Sequence, residues 1–138
     1  AQGKGWSIYT KAGSDGSKSA MCTVEKGEPV GLKACAKMIN KADPGWIVKV
    51  DLDIAGKAKS QSSAAKITVV CLDATGNILQ EVEKVITVPS SEFKTVSLPE
   101  LIVPPGTVDA YLMLMVEVKK PAKSKEWWRF DNVLINVK

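Results

Sequence analysis

The chain has no histidine and a single arginine, and each shortage removes a class of function. Without an imidazole there can be no histidine-based catalytic triad, no His-containing zinc site and no general acid–base chemistry by histidine. Neither a Gly-x-Ser-x-Gly elbow nor a Gly-rich phosphate loop occurs. The three cysteines, Cys22, Cys35 and Cys71, are too widely spaced for a zinc motif and odd in number, so they define no disulfide framework. Cys71 reads as a small buried hydrophobe, whereas Cys22 and Cys35, on neighbouring candidate strands, are placed to pair if the compartment is oxidising. The longest apolar run, Tyr111 to Val116, is far below the roughly 18 residues of a membrane span. No membrane partner is expected. The net charge of +4 comes from scattered lysines, with short clusters only at Lys57/Lys59 and Lys119/Lys120/Lys123/Lys125. Nucleic acid is not the expected partner, because its binders show an arginine-rich or aromatic-interleaved basic footprint.

What remains is a chain of 138 residues with 45% hydrophobic content, enough for one domain over residues 1–138 with one core. It begins Ala1-Gln2-Gly3, which fits a processed secreted protein or a module cut from a longer one. Runs rich in β-branched and aromatic residues predict strands over Ser19–Glu25, Val30–Met38, Trp46–Ile54, Ala65–Leu72, Ile78–Val88, Phe93–Leu98, Val108–Val118 and Trp127–Val137. Turn chemistry separates them, as in Asp43-Pro44-Gly45 and Asp73-Ala74-Thr75-Gly76-Asn77. The expected fold class is all-β, an antiparallel β-sandwich.

Strand alternation assigns the side chains to faces. Within Trp46–Ile54, Trp46, Val48, Val50, Leu52 and Ile54 form a core row, leaving Lys49, Asp51 and Asp53 outside. Within Val108–Val118, Leu112, Leu114, Val116 and Val118 point inward, so Tyr111, Met113, Met115 and Glu117 face out. That row either lies under a loop or floors a groove edged by Asp51, Asp53 and Arg129. The last strand holds half of the tryptophans and the only arginine in three consecutive positions. Trp128 and Phe130 share the core phase, and Trp127, Arg129 and Asp131 share the other. Trp127 is then either a sugar platform or a lid on a neighbouring loop, and Arg129 either binds ligand hydroxyls or pairs across the sheet with Asp51, Asp53 or Glu117.

Gly5-Trp6, Asp43-Pro44-Gly45-Trp46-Ile47-Val48-Lys49-Val50, Val103-Pro104-Pro105-Gly106-Thr107 and Phe130-Asp131-Asn132-Val133-Leu134-Ile135 together carry a resemblance to a known group. In order and type they resemble the galactose-binding-like jelly roll of carbohydrate-binding modules, particularly families four, nine, sixteen and twenty-two, over about residues 5–138. The resemblance implies a jelly roll, a polysaccharide or oligosaccharide partner, and a structural Ca2+ ion held between the N-terminal segment and Asp131. The chain departs from the group where ion ligands are expected, reading Ala1-Gln2-Gly3-Lys4-Gly5. A β-bulge is the alternative role for Asp131-Asn132.

These readings converge on a non-catalytic, monomeric module that adsorbs a tethered catalytic domain to polysaccharide outside the cell. Trp127 and Tyr111 would stack, and Asp51, Asp53, Arg129, Lys49 and Glu117 would supply polar contacts. The alternative is a structural or protein-interaction sandwich without a sugar site. A small glycoside hydrolase using Asp51 and Asp53 is a third reading, since alternate carboxylates on a strand lie roughly 6.5–7 Å apart at their Cα atoms.

Overall fold

A computed structural model describes residues 6–9, 19–40 and 42–138. Ten strands follow in chain order: β1 (Trp6–Tyr9), β2 (Ser19–Val24), β3 (Gly31–Met38), β4 (Ile47–Lys57), β5 (Ser63–Leu72), β6 (Ile78–Ile86), β7 (Lys94–Ser97), β8 (Leu101–Ile102), β9 (Asp109–Val118) and β10 (Glu126–Val137). No helix forms among the described residues. One antiparallel sheet runs β1-β2-β10-β4, with β7 and β8 both paired to the far edge of β4; the other runs β3-β9-β5-β6. The two sheets form the expected antiparallel jelly-roll sandwich.

The core is the sum of the alternating rows. Val48, Val50, Leu52 and Ile54 of β4, with Trp128 and Phe130 of β10, meet Ala65, Ile67, Val69 and Cys71 of β5 and Leu112, Leu114, Val116 and Val118 of β9. Trp6 adds its ring to Phe130 at 5.4 Å between centroids. Trp128 is the largest fully buried side chain, and truncating such a ring to alanine costs about 3–5 kcal/mol. Trp46 departs from its assigned row. It lies one residue before β4 and is 40% exposed, so strand alternation does not govern its direction.

Turns fall where the sequence placed them. Asp73 Oδ1 accepts hydrogen bonds from Thr75 N–H, Thr75 Oγ1 and Asn77 N–H, while Gly76 takes φ +85°, a conformation open to glycine. The Thr75 hydroxyl and the Asn77 amide hold the Asp73 carboxyl below its usual range.

Candidate functional site

Trp127, Arg129, Asp51, Asp53 and Lys49 share the outer face of the β2-β10-β4-β7 sheet. In register, Trp127 lies opposite Lys57, Arg129 opposite Ala55 and Asp131 opposite Asp53; after a shift of one residue, Leu134 lies opposite Asp51 and Asn136 opposite Lys49. The shift is the β-bulge considered for Asp131-Asn132, and Asn132 takes φ +48° to make it. It restores Val133, Ile135 and Val137 to the core side, and Asp131 stays buried beside it.

The polar row on β4 is tied into the sheet. Ser97 Oγ donates to Asp51 Oδ1, Thr95 Oγ1 donates to Asp53 Oδ1 at 2.7 Å, and Asn132 Nδ2 donates to Asp53 Oδ2 at 3.0 Å. Lys49 Nζ donates to the Leu98 carbonyl. Neither aspartate pairs with Lys49, and each carboxylate serves as a cross-strand acceptor. The pair considered for glycoside hydrolysis thus projects from one strand, with Asp51 held by a hydroxyl and Asp53 by a hydroxyl and an amide.

Tyr111 and Glu117 do not join this face. Both belong to β9, in the other sheet, where their row points away from the sandwich on the opposite side of the molecule. Glu117 is exposed, and Met115 is buried among its neighbours. Tyr111 and Met113 line a shallow apolar recess of about 370 Å³ with Ala36, Val70 and Ile78. The groove offered as one of two alternatives, joining that floor to Asp51, Asp53 and Arg129, therefore does not form, because one core separates the two rows. All three cysteines are free thiols; Cys22 and Cys35 sit in different sheets rather than on paired strands.

An open cleft of about 590 Å³ lies at one end of the first face with Trp127 in its wall. The Arg129 guanidinium carbon stands 4.2 Å from the Trp127 ring centroid and braces the half-buried indole. Lys57, Lys59, Gln61, Pro89 and Ser91 complete the working edge. Sequence reasoning missed these residues except as a lysine pair and a turn, because two separate connections bring them together.

Two local devices hold the walls. A Cβ on Gly56 would come within 2.9 Å of Pro89 Cβ and 3.0 Å of Trp128 Cε3, so only glycine lets the 87–91 connection lie flat on β4, where Gly56 N–H donates to the Ser90 carbonyl at 2.8 Å. The second device is Glu126, fully buried at the start of β10. Its Oε2 accepts from Ser60 N–H, Ser60 Oγ and Ser62 N–H, and its Oε1 accepts from Ser63 Oγ at 2.5 Å. Trp128 Nε1 in turn donates to Ser63 Oγ at 2.9 Å. Buried polar groups must be satisfied, and here one carboxylate gathers the turn that carries Gln61 onto the strand that carries Trp127.

No protein-family model matches the sequence, and no curated protein matches it either. Solved structures do match its architecture. A family 16 carbohydrate-binding module superposes with a TM-score of 0.64 at 15% identity, covering 96% of this chain and 85% of that one. The C-terminal family 22 carbohydrate-binding module of Clostridium thermocellum Xyn10B gives 0.66 at 13%, covering 96% and 80%. The chain shares the fold of these carbohydrate-binding modules. The enzymatically active domain of bacteriophage CBA120 tailspike protein 4 gives 0.67 at 16% identity over 88% of this chain, which spans only 16% of that one. A cyclase from Fischerella sp. TAU also shares the architecture, so the fold alone does not assign a chemistry.

Proposed function

We propose that this chain binds carbohydrate without transforming it, at the cleft beside Trp127. The observation that carries the reading is the braced indole: a half-exposed Trp127, steadied by Arg129 at 4.2 Å, forming a wall of an open cleft edged by hydrogen-bonding side chains. An indole supplies a flat apolar surface for a sugar ring, and lysine, amide and hydroxyl groups suit its oxygens. Asp53 lies four residues from the level of Trp127, roughly 13 Å along the strand, so it would meet only a ligand several sugar units long. The fold shared with two carbohydrate-binding modules supports the reading.

The wider reading is an extracellular module that raises the local substrate concentration for a tethered enzyme. A structural calcium at Asp131 belongs to the same proposal. Asp131 faces Asp53 across the strand pair, but no group of three or more His, Cys, Asp or Glu side chains gathers among the described residues. Two carboxylates fall short of the six to eight oxygens calcium takes, and Ala1–Gly5, the segment named by the resemblance, lies outside the described residues. If the ion is held, a chelator lowers Tm and added calcium restores it; an unchanged Tm removes it from the account.

The test of the main proposal is retention of the protein in affinity gels containing β-glucan, xylan, mannan or charged polysaccharides, with Trp127→Ala as control. The expected outcome is retention on at least one polysaccharide, lost in a variant whose circular dichroism and Tm remain those of a folded protein. New reducing ends released by the isolated chain would instead support an enzyme.

A further inference from the structure

The cleft has a charge of one sign, and we infer that its ligand is an anionic polysaccharide, with carboxylate or sulfate groups on its sugar units. This inference rests on the sugar-binding reading of the same cleft. None of the ten residues that line it is acidic, and Lys57 and Lys59 are both exposed on its edge. Lys57 stands directly opposite Trp127 in the β4–β10 register and on the same face, with Cβ atoms about 4.5–5.5 Å apart by sheet geometry. A sugar seated against the indole therefore has an ammonium group within reach of its substituents.

Of the acids near this end, Glu25 and Glu92 are exposed, while Glu126 is withdrawn from the surface. Glu126 is fully buried, with its oxygens taken by Ser60, Ser62 and Ser63. The Lys33–Glu28 and Lys66–Glu83 ion pairs use neither cleft lysine. The positive field extends beyond the lining. Lys119 N–H donates to the Ser62 carbonyl at 2.7 Å, tying the 119–125 connection to the turn that forms the wall, and its Lys119, Lys120, Lys123 and Lys125 are all exposed. Farther along the same face the charge reverses at Asp131, Asp53 and Asp51. Lysines spread for solubility would not gather at the end that holds the braced indole. A compact ammonium is suited to a carboxylate or sulfate as a point charge, and a cleft with charge of one sign concentrates counter-ions of the other.

The experiment compares the whole chain with a Lys57→Gln/Lys59→Gln double variant by calorimetry against polygalacturonate, dextran sulfate, uncharged xylan and polyglutamate. The expected result is binding to polygalacturonate or dextran sulfate that weakens about tenfold in the double variant and falls as salt rises, with the stronger of the two showing which group is read. Trp127→Ala should abolish that binding. Equal binding to xylan, unmoved by the double variant, overturns the anionic assignment while leaving the sugar site intact. Binding to polyglutamate as tight as to the charged polysaccharides and indifferent to Trp127→Ala overturns both, as does no binding to any polysaccharide.

Discussion

At the scale of single residues, the alternation rule separated Trp127 and Arg129 from Trp128 and Phe130. The structure keeps that separation: Trp128 and Phe130 are buried, while the other two are half-buried with the guanidinium on the ring. Alternation says nothing about a residue outside a strand, which is why Trp46 escaped its row. Glu126 was invisible to sequence reasoning. A glutamate beginning a strand reads as a solvated charge, and only the serines of the distant β4–β5 connection make its burial tolerable. Cys22 gives a pH-dependent prediction. Burial pushes its thiol from 9.0 up to about 12, offset in part by Lys33. Because the folded value is raised, the neutral thiol's contribution to stability is complete below the unfolded value and is lost as pH climbs toward about 12. A thiolate absorbance titration of the native protein should show at most two thiols ionising by pH 10, the third appearing with unfolding. Three ionising together near pH 9 without unfolding would contradict it.

At the scale of strands and loops, all eight expected strands are present, with ends moved by at most three residues, because β-branched runs bounded by Pro, Gly and Asx turns leave little choice. Two were missed. β1 and β8 are short strands whose pairing is supplied by β2 and β4 rather than by their own pattern. The bulge was legible as an alternative at Asp131-Asn132, whereas its register effect needed the partner strand. The cleft was not legible at all: its walls come from the 58–62 and 87–91 connections, far apart in sequence and joined only through β4 and β10. Gly56 gives the element-scale prediction. Gly56→Ala forces Pro89 away from β4 and should cost about 1–3 kcal/mol. Tm should fall and polysaccharide retention should weaken together; a variant as stable and as well retained as the parent would show that the loop does not need this close approach.

At the scale of the whole molecule, sheet assignment decides which expectations can act together. Tyr111 and Glu117 were grouped with Trp127 because outward phase is readable strand by strand, whereas membership of a sheet depends on long-range pairing. With β9 in the other sheet, the two outward rows lie on opposite sides of one core. The face that carries Trp127 has lysines at the cleft and carboxylates at Asp131, Asp53 and Asp51 on either side of the bulge, so one long chain laid along it would meet both. The most direct measurement is a titration of tryptophan fluorescence with polygalacturonate, dextran sulfate, xylan, β-glucan and mannan, on the parent and on folded Trp127→Ala. The account predicts a saturable change with at least one of them that is absent in the variant. A parent signal that none of these polysaccharides moves, or a change that survives loss of Trp127, would contradict it.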